Sequence, residues 1–161
     1  MVKYTVYMND LMKKRYRQKT VHQTPMNRKI RSLVHKQLLN ISKYEYEDKV
    51  WIAEKNQCIS YAEIIQQYGT LSDYEWNMEF YFCKDLLNSN WRDSIESITY
   101  EFDRMLRKLN FGNEFVLTFI GQCGNFESLN VRLQLYRESE LHLDQIDFFN
   151  EPIMVQIIKF N

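Results

Sequence analysis

The chain has 161 residues, of which 45% are apolar and 15% aromatic, and it carries 21 basic and 21 acidic side chains. This size suits one domain, and the apolar content suffices for a hydrophobic core, which excludes a globally disordered chain. Alanine, glycine and proline are scarce, whereas Asn, Lys, Ile, Tyr and Phe are abundant. That bias is typical of AT-rich codons, so we expect a source among low-GC bacteria, their phages or their plasmids.

Pattern arguments exclude a membrane-spanning or disulfide-rich protein. The mean hydropathy is −0.51, and no apolar run approaches the roughly 18 residues that a transmembrane helix needs. The first ten residues lack the apolar stretch and the cleavage site of a secretory signal peptide. Three cysteines without CxxC spacing cannot build a disulfide framework. We therefore expect a cytoplasmic protein with free thiols and no membrane partner.

The balanced net charge conceals a strong asymmetry along the chain. Residues 1–44 contain eleven Lys or Arg and one acidic residue, whereas residues 45–161 contain ten basic and twenty acidic residues. Such an asymmetry is a sequence signal of a surface that binds nucleic acid or another acidic partner. We predict a single domain over 1–161, with a basic N-terminal third (1–44) and an acidic remainder (45–161).

The N-terminal third predicts one strand and one helix. Residues 2–8 alternate apolar and polar side chains with period two, which indicates a strand, and the basic residues 11–23 are compatible with a loop, an arm or a short helix. Thr24 and Pro25 are favourable residues for a helix start, so we predict a helix over 25–41. Its apolar stripe consists of Ile30, Leu33, Val34, Leu38 and Ile41. Basic side chains and His35 fall on another face of this helix.

The middle of the chain predicts a strand, a capped helix and one ambiguous segment. Residues 49–54 are typical of a strand. Ser60 and Glu63 have capping-box spacing and Gly69 is a typical helix stop, so a helix is predicted over 61–68. In 74–83, five large apolar residues alternate with polar ones, which favours a strand. The capping-box pattern at 72–75 favours a helix instead, and we predict the strand.

The C-terminal half predicts the main helix and most of the sheet. Apolar residues spaced by threes and fours over 91–109 predict a long amphipathic helix. Residues 115–120, 129–135 and 153–160 predict strands, the last one internal or covered by a helix, and a short strand is expected near 141–143. The predicted fold is α+β: one mostly antiparallel sheet of about five to seven strands, with two principal helices at about 25–41 and 91–109.

The strongest functional signal is the clustered basic charge near the N-terminus. Clustered cations release counterions from a phosphate backbone, and an interleaved aromatic side chain can stack on a base. On this basis we predict a surface for nucleic acid or another partner. Its members are Lys13, Lys14, Arg15, Tyr16, Arg17, Lys19, Arg28, Lys29 and Arg31.

Catalytic and cofactor signals are weak throughout the chain. The three histidines have no paired ligands at metal-binding spacing, so no metal is predicted. A Cys123–His142 pair is one conceivable catalytic arrangement, but a glycine-flanked hairpin turn is the favoured explanation of Cys123, because no sequence feature enforces the pairing. His22 and Thr24 give only half of a two-histidine phosphoesterase signature, and no phosphate-binding glycine loop is present. We predict no cofactor and no catalytic residue.

Three hypotheses about function follow. The leading one is a non-catalytic binding protein whose basic N-terminal region engages nucleic acid or a nucleoprotein, for example an inhibitor of a defence nuclease carried by a phage or plasmid. The alternative is a protein-binding immunity protein or toxin inhibitor with an acidic or aromatic sheet face, formed by Glu63, Glu75 and Glu79 together with exposed tyrosines. The third is an enzyme with an unrecognised site near Cys123 and His142.

Overall fold

The computed structural model describes residues 1–16, 28–87, 91–122 and 127–161, and it confirms the α+β class. The strands are β1 (Val2–Met8), β2 (Ile41–Tyr46), β3 (Lys49–Glu54), β4 (Glu79–Cys83), β5 (Glu114–Gln122), β6 (Ser128–Leu135) and β7 (Ile153–Phe160). The α-helices are α1 (Asp10–Tyr16), α2 (Arg28–Leu39), α3 (Tyr61–Tyr68), α4 (Leu71–Glu75) and α5 (Trp91–Leu109). Short 3-10 turns occupy Lys84–Leu86, Glu138–Glu140 and Leu143–Phe148.

Five strands form an antiparallel sheet in the order β1-β7-β5-β6-β4. Of the two positions predicted for the last strand, internal or helix-covered, the structure shows the internal one, because β7 lies between β1 and β5. Most of its side chains are apolar on both faces, because each face packs against a different apolar cluster. Met154 and Ile158 pack into the core beneath the helices, whereas Ile153 and Val155 pack under the chain that follows β6.

Helices α2 and α5 cover one face of the sheet. The predicted long helix is confirmed as α5, whose stripe residues Ile95, Ile98 and Phe102 are fully buried. Ile30 and Leu38 of α2 join the same core. Burying one such side chain is worth about 1.5–3 kcal/mol, so the apolar stripes hold both helices in place and turn their polar faces outward.

The remaining two strands form a separate antiparallel ribbon, β2–β3. Together with α3 and α4 it encloses a second, smaller core around Trp51 and Ile64. The predicted capping box is confirmed: the Ser60 side chain accepts a hydrogen bond from the Glu63 N–H, and Glu63 binds the Ser60 N–H in return. Gly69 ends α3 with a φ of 83°, a conformation that favours glycine.

Three sequence predictions are wrong in part. The helix predicted to reach position 41 ends at Leu39, and Ile41 opens β2 instead, with Asn40 as the connection. The segment 74–83 is not one strand, because Thr70 caps the short helix α4 and β4 begins only at Glu79. Residues 141–143 form no strand: the first two lie between two 3-10 turns, and Leu143 begins the second turn. The predicted start of the second helix, at Thr24 and Pro25, lies outside the described residues.

The exposure expected for Glu75, one member of the alternative acidic face, is wrong, because Glu75 is completely buried. Its carboxylate receives a two-pronged contact from Arg137, with N–O distances of 2.7 and 2.9 Å, and it accepts backbone N–H bonds from Ile52 and Leu135 at 3.0 Å each. The Glu75 side chain is buried because α4 directs it toward the junction between β3 and β6. Glu79, by contrast, is exposed as predicted and pairs with Arg132.

Tyr4 on the edge strand β1 provides a test of pH dependence. Its hydroxyl donates to Asp103 of α5 at 2.9 Å, and burial, followed by the Asp103 hydrogen bond and negative charge, raises the pKa of Tyr4 to about 12. The unfolded pKa is about 10, so this contribution to stability is complete below about pH 10 and is lost as pH rises through about 12.

We therefore expect the free energy of unfolding to fall more steeply between about pH 9 and about pH 11 in the wild type than in Tyr4→Phe. Chemical denaturation at both pH values measures this difference. Identical pH slopes in the two proteins would show that Tyr4 titrates as it does in the unfolded chain.

Candidate functional site

The outward face of α2 forms an open, shallow concavity of about 410 Å³. Its lining residues are Arg28, Arg31, Ser32, His35 and Lys36. These positions are separated by three or four residues, so they share one side of the helix. The opposite side carries buried apolar residues, which fix the orientation of the basic side toward solvent. We call these five lining residues the α2 basic face.

The cations of the α2 basic face have no acidic partner in the described part of the chain. Arg28, Arg31 and Lys36 are exposed, and no ion pair joins any of them to a carboxylate of residues 1–16, 28–87, 91–122 or 127–161. This contrasts with α5, where Arg92, Arg104 and Arg107 each bind a carboxylate on their own helix. The positive charge of α2 is therefore not cancelled by those carboxylates.

Part of the predicted basic cluster on helix α1 contacts other parts of the protein. The Arg15 guanidinium pairs with Glu127 and lies 4.6 Å from the ring centroid of Trp91, which is itself buried. Lys13 makes a longer contact of 3.5 Å with Asp10. Lys14 is exposed and has no acidic partner in the described ranges. The cluster thus divides into a structural arginine and lysines that face solvent.

The predicted base-stacking residue, Tyr16, is half-buried against the core. Its hydroxyl donates to Glu96 at 3.4 Å, and the Arg92 guanidinium lies 5.4 Å from its ring centroid. Burial raises the pKa of Tyr16, and the negative charge of Glu96 adds to this effect. In this arrangement the ring holds α1 against α5, and stacking on a base would require Arg92 to move.

The other sequence-predicted residues are distributed as follows. Lys29 has a partner of its own, so it does not belong to the unpaired group. Arg17, Lys19, His22 and Cys123 lie outside the described residues, and His142 lies on the far side of the sheet from α2. No His, Cys, Asp or Glu cluster suited to a metal ion occurs within the described ranges. In the same ranges, no helix combines the length and apolarity needed to cross a bilayer.

The α2 basic face also contains residues that the sequence argument missed. Ser32 and Lys36 lie four and eight positions after Arg28, so a helical projection of α2 could have grouped them with it. His35 was placed on the polar face but not among the binding residues. The spacing of these residues around the helix indicates the shared face, whereas the density of charge along the chain does not.

No known protein family, curated protein or solved structure matches this chain.

Proposed function

We propose that this protein is a non-catalytic binding protein that engages the phosphate backbone of nucleic acid through the α2 basic face. The observation that carries the proposal is a concave surface with three exposed cations that no described carboxylate neutralises. Binding of phosphate by these cations has a low free-energy cost, because the helix already holds them in place and no internal ion pair must be broken first.

The dimensions of the α2 basic face suit a phosphate backbone. From Arg28 to Lys36 the helix rises about 12 Å. A nucleic-acid strand in duplex advances about 3.4 Å per nucleotide, so the face spans roughly three or four phosphates. Arginine forks bind phosphate oxygens in pairs, and the Ser32 hydroxyl and the His35 imidazole supply further hydrogen-bonding groups. Such contacts give affinity for the backbone with little preference for base sequence.

The proposal predicts a specific salt dependence. With about three phosphates neutralised, the slope of log affinity against log salt should lie near −2 for single strands and near −2.7 for duplex DNA. Raising KCl from about 50 to about 200 mM should therefore weaken binding roughly 20- to 40-fold. Fluorescence anisotropy with labelled single-stranded DNA, duplex DNA and RNA of one length measures this slope and shows which form is preferred.

A charge-matched pair of variants separates the α2 basic face from net charge. We expect the triple variant Arg28→Gln, Arg31→Gln, Lys36→Gln to lose binding and most of the salt slope. The control replaces Lys43, Lys49 and Lys159 by Gln, because each of these lysines already pairs with a carboxylate. It loses the same formal charge and should bind as the wild type does. Equal loss in both variants, or no loss in either, contradicts the proposal.

A second candidate function is inhibition of a basic protein partner. The ring of Phe148 is 85% exposed, and it lies in a segment, 138–151, with five carboxylates and no Lys or Arg. An exposed aromatic side chain surrounded by acidic charge is typical of a protein-binding anchor. Capture from host lysate, with and without nuclease, distinguishes the two functions. A single protein retained after nuclease, and lost in Phe148→Ala, would favour this candidate over nucleic-acid binding.

A further inference from the structure

A second concave surface lies on the opposite side of the sheet from α2. This cleft has a volume of about 210 Å³ and is enclosed by β5, β7, α4 and the chain that follows β6. Its floor and cover are apolar and include Leu143, Ile146, Ile153 and Val155. Buried Asn9 holds the cover in place, because its side-chain amide donates to the carbonyls of Ile146 and Glu151.

The lining of the cleft includes a threonine whose hydroxyl makes no described hydrogen bond. Thr118 is only 4% exposed and its side chain lines the cleft. Within the described ranges its hydroxyl makes no hydrogen bond to another residue. Its position on an otherwise apolar floor is therefore suited to a ligand that supplies the missing hydrogen bond.

The charges at the cleft have one predominant sign. Asp73 and Glu140 both line it, and no Lys or Arg does so among the residues described. Glu140 uses one carboxylate oxygen to accept from the Ser72 N–H and hydroxyl, and its other oxygen has no described partner. His142 is the remaining titratable group of the lining.

The arginines nearest to the cleft are engaged elsewhere. Arg137 pairs with Glu75 and the carbonyl of Val50, and its Nε lies 3.9 Å from Glu140. Arg132 donates to the carbonyl of Trp76 and has its guanidinium 5.5 Å from that ring. These cations neutralise part of the acidic charge around the cleft but leave the carboxylate of Asp73 without an ionic partner in the described chain.

We propose that this cleft binds a small organic amine, with the ammonium group at Asp73 and Glu140 and an apolar body on the floor beside Thr118. Trp76 and Phe149 provide aromatic walls, and aromatic faces attract organic cations. The volume is below the range typical of drug-sized ligands. The body is therefore one ring or a short alkyl chain.

Three probes that share one body and differ in head group test the proposal: 2-phenylethylamine, 2-phenylethanol and 3-phenylpropionate. We expect saturable changes in heteronuclear NMR shifts at Thr118, Leu143 and Val155 on titration with the amine. The alcohol and the carboxylate should bind at least about tenfold more weakly, because only the ammonium gains from nearby carboxylates. Absence of binding by all three probes, or equal affinity for them, overturns the proposal.

Variants make the test specific to the cleft. The double variant Asp73→Asn, Glu140→Gln should abolish the preference for the amine, whereas Asp144→Asn, outside the lining, should preserve it. Thr118→Val removes the hydroxyl with little change of shape and should weaken amine binding several-fold. Replacing Glu140 removes the acceptor of two Ser72 hydrogen bonds and can disturb folding. In that case Thr118→Val provides the second test of the cleft. Retention of the preference in the double variant, or full affinity in Thr118→Val, contradicts the assignment.

Discussion

Replacing Glu75 by Ala is expected to lower the free energy of unfolding by about 3–5 kcal/mol. The carboxylate is fully buried and accepts four hydrogen bonds, two from Arg137 and two from backbone N–H groups. Its removal leaves the partly buried Arg137 guanidinium without its carboxylate, and the N–H groups of Ile52 and Leu135 without their acceptor. Urea denaturation should show a lower midpoint with an unchanged m-value.

Two control variants separate the loss of the buried contacts of Glu75 from the loss of a negative charge alone. Glu79→Ala removes a carboxylate of the same charge that is itself exposed and lies 3.6 Å from Arg132, and it should cost less than about 1 kcal/mol. Combining Glu75→Ala with Arg137→Met should cost less than the sum of the single changes, because the second change removes the uncompensated charge. A loss of under about 1 kcal/mol for Glu75→Ala would mean that Glu75 does not join β3 to β6.

Burial also raises the pKa of Glu75, whereas Arg137 and the two backbone N–H groups act in the opposite direction. The four donors explain how a carboxylate can occupy this position. They connect the ribbon β2–β3 to the end of β6, so this residue determines how the smaller core is attached to the sheet. We expect Glu75→Ala to reduce protection from hydrogen exchange first in β2 and β3.

Replacing Gly121 by Ala is the second change with a large expected effect. We expect it to lower the free energy of unfolding by up to about 3 kcal/mol. A Cβ atom at this position would overlap two carbons of the six-membered ring of Trp91. Trp91 is 3% exposed and cannot turn aside without moving the start of α5. The same ring carries the Arg15 guanidinium on α1, so the displacement would reach the basic cluster.

A rescue experiment distinguishes this steric effect from a general loss of stability. Trp91→Phe removes the ring carbons that a Cβ at position 121 would meet. In that background, Gly121→Ala should cost much less than in the wild type. Gly69→Ala is the control: its φ of 83° disfavours alanine, but no atom lies within 4 Å of the added Cβ. Its cost of about 1–2 kcal/mol should not change with Trp91→Phe.

Local sequence signals account for most of the elements. Period-two alternation identified β1, the capping box and Gly69 bounded α3, and the apolar stripe identified α5. These signals act over a few residues, which is why they could be detected without a structure. The helix at 25–41 was overextended because Ile41 continues the helical spacing while its backbone already pairs with Glu54 in the ribbon.

The candidate site was only partly predictable, because sequence signals act over a few residues and do not reveal distant partners. The sequence located the basic charge in residues 1–44, and Arg28 and Arg31 lie on the α2 basic face as described above. It could not show that Arg15 and Tyr16 are held by Glu127, Trp91 and Glu96. Arg15 is 76 positions from Trp91, and Tyr16 is 80 positions from Glu96, so only the tertiary packing of α1 brings these partners together.

By itself, the sequence determined the α+β class, the long helix, the last strand and the charge asymmetry, because periodicity, caps and composition are local properties. Only the tertiary structure decided that 74–83 divides between a helix and a strand and that Glu75 is buried. Glu75 meets Arg137, 62 positions along the chain, and only the folded arrangement supplies the four donors that let a carboxylate leave water.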